Sequence, residues 1–238
     1  MELELKKECL DTYELGEPQT LTQEETAETI VPDYCPDIAR IISAEGVVCL
    51  HGGTEQDGVT GTVRVTVLYT PENESGVRAL EFAMPFSAQG EGLAGCAHVV
   101  VETEIELLES RMLNPRKIFT RCKLVTHLAG CRKVCLTISS DAETDPALLV
   151  EKRCCGQTVS LLRQVAEKDL TFSETMSLSL GREGAAELLH CRANGIMTET
   201  KAIGNKLIFK GVFLVSALYR TIGGQLASAS AELPFSHI

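Results

Sequence analysis

The sequence predicts a mainly β fold of two tandem, related β-rich units, sandwich-like, each with one short helix. Three observations carry this. Gly61-Thr-Val-Arg-Val-Thr-Val-Leu-Tyr69 returns as Gly211-Val-Phe-Leu-Val-Ser-Ala-Leu-Tyr219 at an offset of 150 residues. Pro85-Phe86-Ser87 returns as Pro234-Phe235-Ser236 at an offset of 149, so each copy reads as strand, turn, strand. Val63, Val65, Val67 and Tyr69 alternate with Thr62, Arg64 and Thr66, the period-two pattern of a half-buried strand. The even offset sets Phe213, Val215, Ala217 and Tyr219 on the equivalent face, and a one-residue slip would turn that whole set to solvent. The reading divides the chain into a first unit at 1–140, a linker at 141–147 and a second, shorter unit at 148–238.

Taken in order, residues 1–29 are polar and acidic. They read as an opening strand over Glu4–Tyr13 and a loop or short turn. A short helix is expected next. Pro36 suits the first helical position, where its missing N–H costs nothing, and Asp37 falls in the first turn, favourable to the helix dipole. Ile38, Ile41 and Ile42 stand at i, i+3 and i+4, one apolar helix face, and Gly46 reads as the stop. The second unit repeats this weakly from Glu183 to Cys191, with Leu188 and Leu189, and Gly195 ends it. Val47–Leu50 and Ile196–Thr200 read as strands. Gly52-Gly53, Asp57-Gly58 and Gly204-Asn205 supply turns.

Beyond Ser87, residues 97–107 and 117–128 alternate as two further strands with Asn114-Pro115 between them. A hairpin folded about Met112-Leu113 would set Glu104 opposite Arg121 and Glu102 opposite Lys123, favouring that register by a few tenths of a kcal/mol per pair. Residues 132–139 read as another strand after a turn at Gly130. Asp141–Pro146 is a linker by composition, and strands at 148–155 and 158–165 open the second unit. The second copy of the hairpin is followed only by His237 and Ile238 after its Pro-Phe-Ser. Its last strand, Gln225–Phe235, is therefore expected to be an unpaired edge. With one charge in Gln225–Leu233, that edge invites another chain.

Composition narrows the function. Formal net charge is −11, from 22 basic and 33 acidic residues, with no Lys/Arg cluster, so a nucleic-acid backbone would be repelled. No apolar run approaches about 18 residues and the start lacks a basic, then apolar, leader, so membrane insertion is not expected and the chain reads as cytoplasmic. Ten cysteines are then expected as reduced thiols. Most suit small buried hydrophobes. Cys154-Cys155, beside Lys152 and Arg153, is the pair most open to reaction, because nearby positive charge favours thiolate.

No catalytic, cofactor or metal site is read. His127, Cys131 and Cys135 form the best ligand-like run, but a tetrahedral site needs four converging ligands and no Cys-x-x-Cys occurs. Gly90-Glu-Gly-Leu-Ala-Gly95 fits the dinucleotide pattern, yet a strand follows it rather than a helix, so it reads as a flexible connection. The five histidines have no evident partners, and no hydrolase, zinc-protease or P-loop motif is present.

Four stretches in order carry a resemblance: Val31-Pro-Asp-Tyr-Cys-Pro-Asp-Ile-Ala-Arg-Ile41, Gly61–Tyr69, Pro85-Phe86 and Arg111-Met-Leu-Asn-Pro-Arg-Lys117. Together, and with Gly211–Tyr219 and Pro234-Phe235 in the second unit, they resemble over nearly the whole chain the SPOCS-domain family of clostridial spore-coat assembly proteins, the SipL-like group, here without the LysM module. The resemblance implies a mother-cell protein at the forespore surface that binds other spore-coat proteins, among them the coat morphogenetic ATPase. The expectation is a non-enzymatic assembly protein working through β-edge or surface contacts, with self-association as a further outcome. The candidate contacts are Asp33, Tyr34 and Asp37 in the Pro-rich stretch and Gln225, Ser228 and Ser230 on the last strand. For Pro32, Pro36 and Asp37 the plain alternative is helix initiation. The rival function is a small-ligand or carbohydrate-binding β-module, against which stand zero Trp and 5% aromatic residues.

Overall fold

Two three-stranded antiparallel sheets carry the repeat. In the computed structural model, which describes residues 4–51, 58–143, 151, 153, 156, 158–166, 173 and 184–238, the strands are β1 (Glu4–Leu15), β2 (Gln19–Ile30), β3 (Ile38–His51), β4 (Gly58–Pro71), β5 (Arg78–Gln89), β6 (His98–Asn114), β7 (Lys117–Glu143), β8 (Ala185–Ile203), β9 (Lys206–Thr221) and β10 (Leu226–His237). The sheets run β3-β4-β5, β10-β9-β8, and β1-β7-β2 with β6 also on β7. The parity expected of the repeat holds: Val63, Val65, Val67 and Tyr69 are buried, and at the matching positions Ala217 and Tyr219 are buried while Phe213 and Val215 are half-buried.

Neither expected helix exists among the described residues. The stretch with Ile38, Ile41 and Ile42 is the start of β3, and Ala185–Cys191 is the start of β8. Bulges explain the misleading spacing. In β3 the register shifts between Ile38 and Arg40 and again between Ile41 and Ser43. Each extra residue turns a two-residue step into a three-residue step. Ile38, Ile41, Ala44, Gly46 and Val48 thus stand opposite Pro71, Tyr69, Val67, Val65 and Val63, all on the inward face. Ile42 is left outside, 49% exposed. Strand β8 carries the same two shifts, between Ala185 and Glu187 and between Leu188 and His190, with Leu188 opposite Tyr219 as Ile41 is opposite Tyr69. The repeat therefore extends through three strands. Gly46 ends no helix; a Cβ there would lie 2.8 Å from Ile105 Cδ1, so it lets β3 close on β6.

The core lies between β3-β4-β5 and the sheet built on β7. Val63, Val65, Tyr69, Leu80, Met84 and Phe86 pack against Ile118, Cys122 and Leu124 of β7. A smaller cluster joins Val59, Leu93 and Leu128. Leu93 explains the Gly90–Gly95 loop: it plugs this cluster while Gln19 bonds Glu91 through both its amide groups and Arg132 donates to the Gly92 carbonyl at 2.6 Å. The expected flexible connection is pinned at three points.

Strand β7 is longer than expected. It runs without a turn through Gly130, where a Cβ would lie 2.5 Å from Cys96 Sγ; the glycine serves close packing. Residues 4–30, read as one strand and a loop, are two strands laid end to end along β7, with Leu15 opposite Cys131 and Gln19 opposite Leu128. Strand β2 was hidden because its inward positions include Gln23, Glu25 and Thr29 beside Leu21 and Ala27. The hairpin between β6 and β7 turns at Pro115-Arg116, not at Met112-Leu113, so Glu109 faces Arg121 and Glu104 faces Val125. Lys123 still finds a carboxylate, Glu106 at 2.9 Å, and Arg121 approaches Glu24 on β2.

The composition-based linker begins inside β7, since Asp141 and Glu143 pair with β1. Of the expected strand at 158–165, a single bridge forms, Leu162 to Tyr13. Gly52-Gly53, Asp57, the strand at 148–155 and the Cys154-Cys155 pair fall wholly or largely outside the described residues. Among the described residues no helix is long and apolar enough to cross a membrane.

Candidate functional site

The Pro-rich stretch 31–37 links β2 to β3, and its conformation is set by one side chain from elsewhere. Arg116, in the β6–β7 turn, donates to the Cys35 carbonyl at 2.8 Å, the Val31 carbonyl at 2.8 Å, Asp37 Oδ1 at 3.0 Å and Asp33 Oδ1 at 3.0 Å. Only a planar guanidinium offers enough fixed donors for such a span. The backbones are stitched as well, by Val31 N to Arg116 O and Ile38 N to Pro115 O, both 2.9 Å. Asn114 Oδ1 accepts from Arg116 N at 2.9 Å and shapes the turn. Below the loop, the buried Tyr69 hydroxyl donates to the Pro36 carbonyl at 3.2 Å. Burial, with Cys35 nearby, pushes that phenol up to about 12.

This knot joins two of the four resemblance stretches, which lie far apart in sequence. Of the candidate contacts there, Asp33 and Asp37 are held by Arg116, so both have a structural use, though not the helix initiation that was the plain alternative. Tyr34 is 88% exposed at the loop's tip. Arg116 itself carried no expected role; the signal available was its place in the Arg111–Lys117 stretch.

The second candidate group lies on the C-terminal sheet. Gln225 belongs to the β9–β10 turn: Thr221 N donates to its carbonyl at 2.8 Å and its own N–H donates to Thr221 Oγ1 at 3.1 Å. Ser228 and Ser230 are exposed on β10, an outer strand of its sheet with no partner beyond β9 among the described residues. The expected contrast with the first unit is not found, because β5 is an outer strand too. The turn between β4 and β5 bridges the two groups. Glu72 N donates to the Asp37 carbonyl at 2.9 Å, and a Cβ at Gly76 would lie 3.8 Å from Gly224 O. The Tyr34 loop and the β10 turn therefore flank one end of the molecule.

The sheets are tied by ions that sequence reading missed. Glu187 on β8 accepts from Arg78 on β5 at 3.0 Å and from Arg220 on β9 at 2.7 Å. Glu45 on β3 lies 3.2 Å from His190 on β8, an ion-pair approach in which Nε2 makes no hydrogen bond. Between β3, β6 and β8 is a groove of about 1100 Å³, lined by Val47 and Leu188 together with Glu45, Arg64 and Arg192.

Among the described residues no group of three or more His, Cys, Asp or Glu gathers as a metal site. His127 meets Thr20 Oγ1 at 3.0 Å, Cys131 is buried, and Cys135 is joined to Cys9. The register places Cys9 and Cys135 with Cα atoms 5.7 Å apart across β1 and β7, within disulfide range, so this pair is set to bridge the two strands. Cys122 is the opposite case, a buried thiol pushed up to about 11 by desolvation.

What the geometry defines is a set of β sheets with an open strand and an exposed loop tip. Residues 185–238 match the family model described as SipL, SPOCS domain. The match begins at the first residue of β8 and takes in β9 and β10. The family resemblance is thus found over the C-terminal sheet; the four stretches between Val31 and Lys117 lie outside the matched residues, and β3-β4-β5 repeat the register and bulges of the matched sheet. No curated protein matches the chain, and no solved structure does.

Proposed function

We propose that this chain is a non-enzymatic assembly protein of the spore coat, and that it works by adding strands of coat proteins to the open edge of β10. The observation that carries this reading is the position of that edge: it belongs to the sheet that matches the SPOCS domain. Backbone N–H and C=O groups on an outer strand bind an extended segment with little demand on its side chains, which suits assembly from varied components. Tyr34, on the loop across the β4–β5 turn from the β10 turn, adds an aromatic anchor of the kind enriched at protein contacts.

The test is affinity capture from sporulating cells with the wild type, Ser230→Pro and Tyr34→Ala, followed by identification of the bound proteins. Coat proteins held by the wild type and lost from Ser230→Pro support the edge. Equal capture by wild type and Ser230→Pro removes the edge from the proposal, and absence of coat proteins from every sample removes the assembly role.

The groove between β3, β6 and β8 favours a second reading, a small-ligand module, since its volume lies in the range of, or just above, ordinary ligand sites. A melting-temperature rise with a sugar or other small molecule, cancelled by Leu188→Arg, would support that one. The lack of any Trp to stack on a sugar ring stands against carbohydrate.

A further inference from the structure

We propose that the occupant of the β10 edge is the β10 edge of a second copy of this chain, paired antiparallel about a two-fold axis at Ala229. This rests on the reading of that edge as a binding site and goes further, to one partner and one register.

The backbone defines which groups are open. Thr221 N donates to Gln225 O, so residue 225 faces β9. The ladder then runs without a bulge to His237. In an antiparallel strand residues alternate between neighbours, so odd-numbered residues of β10 face β9 and even-numbered ones face outward. Leu226, Ser228, Ser230 and Glu232 therefore present N–H and C=O to the open side. Pro234 falls on the same side, where its missing N–H breaks nothing in the sheet. It ends the usable edge.

That edge fits itself. Centred on Ala229, Ser228 faces the partner's Ser230 and Leu226 faces the partner's Glu232. Four outward pairs form roughly eight hydrogen bonds without using Pro234. Opposed side chains are small, Ala229 against the partner's Ala229 and Ala227 against the partner's Ala231, so strands at ordinary spacing do not clash. Centring on Ser230 would set Pro234 against Leu226 and lose a donor, and centring on Ser228 would leave three outward pairs within β10 instead of four.

Charge points the same way. A chain of net charge −11 repels its own copies over most of its surface. Between Leu226 and Phe235 the one charged residue is Glu232, and the two-fold register keeps the two Glu232 side chains apart. Of the other outer strands, β1, β2 and β6 are rich in charged residues, β3 and β8 are bulged, and β5 carries Arg78, Glu81 and Pro85. Pairing here would give a continuous sheet in the order β8-β9-β10-β10-β9-β8.

Sedimentation of the full chain is the first test. The wild type is expected to move from one to two chain masses with rising concentration. Ser230→Pro deletes only an outward donor, so it should stay at one chain mass with an unchanged melting temperature. Oxidative crosslinking tests the register. Ala229→Cys should give a covalent dimer well above the wild-type background, and Ala227→Cys, whose counterpart lies four residues along, should not. A monomeric wild type, a dimer that survives Ser230→Pro, or a crosslink stronger at 227 than at 229 overturns the proposal. A monomeric wild type whose capture of coat proteins is still lost in Ser230→Pro removes the second copy and leaves the edge standing. A dimer abolished by Ser230→Pro with capture untouched supports self-pairing and removes coat-protein binding from that edge.

Discussion

At Gly61 the backbone is covered by an aromatic ring. Phe86 lies directly across from it, and a Cβ on Gly61 would collide with the ring; Gly211 and Phe235 repeat the arrangement. A glycine in mid-strand is weak because it packs nothing, and a cross-strand aromatic restores the lost contact. The two copies differ in depth, since Phe86 is 5% exposed and Phe235 is half-buried. Phe86→Ala should therefore cost about 3–5 kcal/mol, and Phe235→Ala less than about 3 kcal/mol. Denaturant melts of the two variants check the order; the reverse order would mean the second sheet holds the deeper core. Two buried acids give a second outcome. Unfolded, Cys122 and Tyr69 ionise near their ordinary values of 9.0 and 10.0; folded, they hold their protons to about 11 and 12. Above about pH 9 the unfolded chain binds fewer protons than the folded one, so stability falls as pH rises through that window. Tyr69→Phe and Cys122→Val should each flatten the alkaline limb of a stability–pH curve.

At the scale of the element, β3 shows how far apolar spacing can mislead. Three isoleucines at i, i+3 and i+4 fit one helix face, but two bulges produce the three-residue steps and leave Ile42 outside. The two readings separate by substitution. On a helix all three isoleucines would matter alike; on the bulged strand Ile38→Ala should cost about 2–5 kcal/mol and Ile42→Ser less than about 0.5 kcal/mol. Thermal melts of both decide it. Strand β2 failed to show for the opposite reason. It pairs with β7 along its whole length, and its inward Gln23 and Glu25 bond each other at 3.1 Å, so polar residues stand where the pattern would need apolar ones.

Across the whole molecule, ion pairs tie the two repeated sheets together. Glu187 joins Arg78 and Arg220, and all three side chains are partly exposed, at 39%, 20% and 25%. Such pairs are worth at most about 1 kcal/mol and are screened by salt. Glu187→Gln should lower the melting temperature slightly at low salt and remove much of its salt dependence. An unchanged salt dependence would mean that other contacts hold the sheets.

By itself the sequence determined the strand–turn–strand pattern of the repeat, the inward faces of β4 and β9, the return of Phe86 as Phe235, and the resemblance over the C-terminal sheet. Each rests on side-chain alternation, which a strand buried on one face must display. Tertiary structure alone decided the bulges at the starts of β3 and β8, the unbroken course of β7, the strand at 19–30 and the gathering of Val31–Asp37 around Arg116. It also decided that β5 and β10 are both outer strands. These depend on where backbone N–H and C=O groups find partners. Every residue but proline carries the same pair, so the choice of partner leaves almost no mark in residue order.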